Sequence, residues 1–135
     1  MTDTTRSGRC LCGEVRYSIR GSVRSLNYCH CHSCRRATGG AFVPWGTVDR
    51  SGFQVTAGTL ALVSSSKDVE RGFCARCGSS LTYRHAARQK EIDVTLVSLD
   101  DASDLAPTYH IWVRDKLPWI QLNDGLPAYD TVPEG

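Results

Sequence analysis

Several things are scarce in this chain, and each scarcity closes a class of answers. No apolar run follows a basic start at the amino end, where MTDTTRSGRC is polar, so a secretory signal is not expected. No window reaches the uninterrupted apolar length that a bilayer-spanning helix requires. Heptads, internal repeats and low-complexity tracts are missing, which removes coiled coils and solenoids. The formal net charge is only +2, so the basic excess interleaved with aromatics that marks a nucleic-acid surface is lacking. With 135 residues there is chain for one domain, expected to be 1–135 as a whole, with the ends MTDTTRS and TVPEG as frayed tails. The expectation is a soluble, cytoplasmic protein whose thiols stay reduced.

What is present in excess is cysteine. Seven is an odd number, so paired disulfides would leave one thiol over. The cysteines fall in three short clips: Cys10 with Cys12, Cys29 with Cys31 and Cys34 in the run CHCHSC, and Cys74 with Cys77. Neighbours two or three apart can aim their sulfurs at one point, as a tetrahedral cation requires. Thiolate-rich sites of that kind favour zinc, with an iron–sulfur centre as the alternative. Seven ligands divide into four and three. The local set Cys29, Cys31 and Cys34 would leave a coordination position open, and Cys10, Cys12, Cys74 and Cys77 would make a closed, structural site. Completion of the second site by His30, His32 or His85 would instead make both sites structural.

The pattern reads as mainly β. Residues 14–19 (EVRYSI) alternate, placing Val15, Tyr17 and Ile19 on one face, and residues 41–48, 59–63, 69–73, 81–84 and 91–96 resemble further short strands. Tyr28 sits in an apparent strand as packing. One short helix is expected over 33–38 (SCRRAT), with Ser33 as N-cap and Gly39 as its stop, placing Cys34 in the first turn where the helix dipole favours a thiolate. Gly13 and Gly78 each follow a cysteine and suit the tight backbone of a metal knuckle. Trp45, Trp112 and Trp119 read as core. His110 reads as a hydrogen-bonded structural histidine, with a proton relay as the alternative. Arginines crowd the first forty residues and acids the stretch after Glu91. Arg16, Arg20 and Arg24 read as solvated strand residues, whereas Arg35 and Arg36, beside Cys34, are candidates to attract an anion.

Four ordered blocks, GRCLCGEVRY, CHCHSCRRATGGAFVPW, RGFCARCGSSLTYR and HIWVRDKLPWIQLNDGLPAY, resemble the family of glutathione-dependent formaldehyde-activating enzymes, whose domain is shared with a centromere protein. The resemblance runs from about residue 8 to residue 129. It implies an Mss4-like fold of short twisted β-sheets with few short helices, stapled by zinc, with two zinc ions per chain. It implies a structural zinc on Cys10, Cys12, Cys74 and Cys77 and a catalytic zinc on Cys29, Cys31 and Cys34, with His30 and His32 not ligands. The activity implied is carbon–sulfur lyase-type chemistry, the condensation of formaldehyde with glutathione to S-hydroxymethylglutathione or a related thiol reaction. Its partners would be a small-molecule thiol and an aldehyde.

Two other classes compete: a zinc-stabilised binding module without catalysis, and a redox sensor whose three-cysteine site loses zinc on oxidation. The identity of the fourth ligand at the second site separates them. Exposed strand edges leave a homodimer open.

Overall fold

A computed structural model describes residues 4–133, so the tail expectations for residues 1–3 and 134–135 lie outside the described residues. In chain order the elements are β1 (Thr5–Arg9), β2 (Arg16–Arg20), β3 (Arg24–Cys29), α1 (His32–Thr38), β4 (Val43–Asp49), β5 (Phe53–Ala57), β6 (Ala61–Ser66), β7 (Val69–Phe73), β8 (Ser80–His85), β9 (Glu91–Thr95) and β10 (Tyr109–Ile111), with three short 3-10 turns. Strands β1, β2 and β5 form one sheet. The other seven form a second in the order β10-β3-β4-β9-β8-β7-β6, antiparallel except where β10 runs parallel to β3. The mainly β expectation holds. No helix among the described residues is long and apolar enough to cross a membrane.

Strand alternation builds the core between the sheets. Val15, Tyr17 and Ile19, from β2 and its approach, are fully buried against Val48, Leu81, Ile92 and Val94 of the larger sheet. The opposite face of that sheet carries a second cluster, in which Cys29, Cys34, Val43 and Trp45 pack with Tyr83, Ile111 and Trp112. Period-two geometry therefore sends Val48 of β4 into the core and Trp45 and Thr47 to the other side.

Four strands depart from the sequence reading. The stretch expected as an amino-terminal tail enters the smaller sheet as β1, whose residues TRSGR carry no apolar alternation. Its place comes from pairing with β2 from Thr5↔Arg20 to Arg9↔Arg16, with Gly8 leaving room for the ring of Tyr17. Strands β5 and β10 likewise form by pairing with β2 and β3. The strand expected over 59–63 starts at Ala61 and continues to Ser66.

The charge asymmetry is partly self-neutralising. Arg6 forms a two-pronged pair with Asp104 at 2.9 and 2.6 Å. Arg24, expected to be solvated, instead reaches Glu91 at 2.9 Å and Asp49 at 3.0 Å. Arg6 and Arg24 are thus tied to acidic residues distant in sequence.

Behind the central cysteine clip a polar chain runs from buried His30 and His110 to Asp124 at the surface. His30 Nε2 and His110 Nδ1 are 2.9 Å apart, and His110 Nε2 is 2.7 Å from Asp124 Oδ2. With the carboxylate accepting from His110 Nε2–H, His110 Nδ1 accepts from His30 Nε2–H. Burial, with His110 next to it, pushes His30 down to about 4, so it is neutral at pH 7. The ring of Tyr28 stacks on His110 with centroids 4.9 Å apart. His110 is therefore the structural histidine expected of it. Its replacement in His110→Ala leaves a buried His30 N–H unpaired, and unfolding by denaturant is expected to show a loss of about 1–3 kcal/mol beyond an exposed control such as Leu62→Ala. Equal stability of the two variants would deny the chain a structural role.

Candidate metal centres

Each sheet contributes one hairpin turn to the four-cysteine cluster. Cys10 and Cys12 lie in the β1–β2 turn, and Cys74 and Cys77 lie in the β7–β8 turn. The two turns differ in length by one residue but both close on a glycine that follows the second cysteine. Gly13 N–H returns to the Cys10 carbonyl at 3.2 Å and Gly78 N–H to the Cys74 carbonyl at 2.7 Å, with φ of 81° and 80° respectively, in the left-handed region glycine tolerates. Backbone amides also point at sulfur, Val15 N–H to Cys10 Sγ at 3.3 Å and Cys77 N–H to Cys74 Sγ at 3.4 Å. The Ser79 hydroxyl, followed by nearby backbone amides, holds the Cys77 thiol down at about 5.

All four sulfurs lie within 4.8 Å of one another, with Cys10 and Cys12 at 3.6 Å and Cys12 and Cys74 at 3.8 Å. A metal–sulfur bond of about 2.3 Å in a tetrahedron separates its sulfurs by about 3.8 Å, whereas a disulfide requires about 2.05 Å. The donor set fits a thiophilic cation, and the cysteines are free of disulfides. Because its halves come from different sheets, a cation held there ties the sheets together.

The second cluster is local. Cys29 ends β3, Cys31 caps α1, and Cys34 is the helix's third residue. The cap differs from the expected Ser33: the sulfur of Cys31 accepts the Cys34 N–H at 3.3 Å, so the helix start serves the Cys31 thiolate. Gly39 closes the helix as expected, at φ 78° with its N–H on the Arg35 carbonyl at 2.7 Å. The three sulfurs also lie within 4.8 Å of one another. Donation from the Cys29 thiol, then the Cys34 thiol, strongly favours a thiolate at Cys31, and the reciprocal contact pushes Cys29 up.

No histidine completes this set among the described residues. His30 turns away into the polar chain with His110. His32 is exposed and meets Arg35 at 2.6 Å, and His85 accepts the Ala87 N–H on β8. The cluster instead opens on a cavity of about 740 Å³. Its floor is the outer face of the larger sheet, where register aligns Thr47, Asp93, Tyr83 and Arg71 across four strands. Trp45 and Trp112 also line it, so Trp45 is both buried and part of the wall, whereas Trp119, expected in the core, is 67% exposed.

The arginine that reaches the sulfurs is neither Arg35 nor Arg36. Arg35 bonds the Asp115 carbonyl at 3.3 Å as well as His32, and Arg36 is exposed. Arg71, only 5% exposed, directs Nη1 and Nη2 at Cys34 Sγ from 4.0 and 3.9 Å. Its Nε–H is held by the Ser65 hydroxyl at 3.1 Å, and its plane lies 5.1 Å above the Tyr83 ring. Sequence reasoning missed it, although a signal exists: Arg71 alternates with Val69 and Phe73, a charge at an apolar strand position three residues before Cys74.

Comparison with known proteins places the chain in a family. A Podospora anserina protein that carries the provisional name of a glutathione-dependent formaldehyde-activating enzyme is 32% identical over 85 residues, covering 60% of this chain and 39% of its own length. This chain thus spans well under half of that relative. The crystal structure of a Rhodobacter sphaeroides protein superposes with a TM-score of 0.59 at 20% identity, covering 91% of this chain and 98% of the other, a likeness of fold. The family profile described as glutathione-dependent formaldehyde-activating enzyme matches residues 5–115, and the chain belongs to that family.

Proposed function

We propose that this protein is a zinc-dependent enzyme that makes or breaks the carbon–sulfur bond of a thiol–aldehyde adduct, with glutathione and formaldehyde as the first pair to test. In this reading Cys10, Cys12, Cys74 and Cys77 hold a structural zinc, and Cys29, Cys31 and Cys34 hold a catalytic one. The observation that carries it is the number of sulfurs in each cluster: both border surface cavities, but four sulfurs complete a tetrahedral set between two hairpin turns, whereas three leave one position free beside a cavity of about 740 Å³. That volume lies within the range of small-molecule sites, about 300–1,000 Å³, and exceeds the needs of an aldehyde as small as formaldehyde. The family's name supplies the two reactants.

The chemistry requires no oxidant. The thiol loses its proton, its sulfur bonds to the aldehyde carbon, and the carbonyl π pair moves to oxygen, which takes a proton to give the S-hydroxymethyl product; reversal breaks the same bond. A zinc ion held by three cysteines supplies an open position that keeps a thiol deprotonated at neutral pH. The chain's own groups do the rest. The Cys34 amide and the Arg71 guanidinium stabilise negative charge on the cysteine sulfurs. Trp45, Tyr83 and Trp112 give the cavity apolar walls that reduce competing water around the reacting sulfur. The His30–His110–Asp124 chain fixes the backbone between Cys29 and Cys31.

Metal analysis of the purified protein is expected to return about two zinc ions per chain. Cys12→Ser should lose one together with much of the stability, because that ion joins the two sheets, and Cys31→Ser should lose the other with the fold retained. One ion in the wild type would refute the two-site assignment. Function itself is tested by two-dimensional NMR exchange between glutathione and its formaldehyde adduct. The zinc-loaded protein is expected to accelerate exchange, and Cys34→Ala to return it to the uncatalysed rate. No acceleration by fully loaded protein would reject this pair of substrates.

A further inference from the structure

We propose that Arg71 is the built-in counter-cation that allows the three-cysteine centre to accept a fourth, substrate-derived thiolate. The inference rests on the reading of that centre as an open zinc site and assigns a positioning residue to it.

A guanidinium removed from water is costly unless an anion faces it. Arg71 is buried, yet among the described residues no carboxylate lies within ion-pair distance of it. The carboxylate nearest in the cross-strand row, Asp93, is already held by Arg88 at 2.8 Å and Thr47 at 2.7 Å. On the other side of β7, Glu70 pairs with Arg84 at 3.4 Å. The anionic groups left to face Arg71 are the sulfurs, with Cys34 Sγ within 4.0 Å of both terminal nitrogens. Ser65 holds Nε and Tyr83 lies beneath the plane, so the fork is fixed in direction rather than free to swing.

Charge explains why one cation is needed there. Three thiolates around a divalent ion carry a net charge of about −1, and a fourth thiolate raises it to about −2 in a cavity with apolar walls, where repulsion is poorly screened. Arg71 brings the three-thiolate centre to neutrality and halves the charge of the four-thiolate state. The guanidinium has five N–H groups; one is used by Ser65 and two face Cys34, leaving two for an incoming anion.

The test uses cadmium in place of zinc and reads its NMR shift, which reports the number of sulfur ligands at each centre. The probe is mercaptoethanol, a thiol without a carboxylate that Arg71 could bind in its own right. In the wild type the second cadmium signal is expected to move to the four-sulfur position as the thiol is added, while the first signal stays fixed as an internal measure of folding. Arg71→Met should weaken this transition about 10–100-fold, the scale of losing a supporting partner around a metal ligand. Arg71→Lys should recover part of the affinity by restoring charge without the fork. Arg71→Gln, which keeps an amide donor for Ser65, serves if the methionine variant does not fold. Equal thiol affinity in the uncharged variants overturns the role of Arg71 and leaves the open site intact. A wild-type second centre that never gains a fourth sulfur overturns both this inference and the thiol-binding reading on which it rests.

Discussion

The meeting of two hairpin turns at four sulfurs is the constraint on which the rest of the molecule depends. Neither sheet encloses a core alone: the three-stranded sheet supplies Val15, Tyr17 and Ile19, and the seven-stranded sheet supplies the residues they cover. The β1–β2 and β7–β8 turns bring Cys10, Cys12, Cys74 and Cys77 together where the sheets join. Covering one face of the larger sheet with the smaller leaves its other face available for the cavity. The closed cluster and the open one are thus coupled through a single sheet, although no residue belongs to both.

Electrostatics completes the division of labour. At the open cluster, negative charge on sulfur is supported by the Cys34 amide, by the start of α1 and by the fork of Arg71. Farther along the floor Thr47, Asp93 and Arg88 satisfy one another and do not compete for Arg71. On the reverse side of the clip, the neutral His30, tied to His110, holds the backbone without placing charge of its own between the cysteines. The proposed chemistry follows from this placement: a small anionic centre with one buried cation beside it, open to a cavity large enough for a thiol.

The cysteine partition was legible because it is local. Ligands two or three residues apart need no knowledge of the fold, and the remaining four pair naturally as two clips. Gly13, Gly78 and Gly39 were legible for the same reason, each set by the residue before it. What escaped depends on contacts distant in sequence. Arg71 matters only because β7 passes beside α1, and Asp124 matters only because its loop returns to His110. Strand β1 lacks an apolar rhythm and exists because β2 pairs with it, whereas β5, in which Phe53 and Val55 do alternate with polar residues, and β10, of three residues, are too short to stand out alone. The helix cap was misplaced at Ser33 because cysteine sulfur is a rarer capping group than a serine hydroxyl. Trp119 was misread because aromatic character alone does not distinguish a core position from an exposed loop.

The account's central claim is that one metal centre is closed by protein and the other is open. Anomalous scattering at the zinc edge from crystals of the protein tests it most directly. Two peaks are predicted, one among the sulfurs of Cys10, Cys12, Cys74 and Cys77, and one bound by Cys29, Cys31 and Cys34 with a fourth ligand that is not part of the chain. A second peak closed by a protein side chain, or no second peak in zinc-saturated crystals, would contradict it.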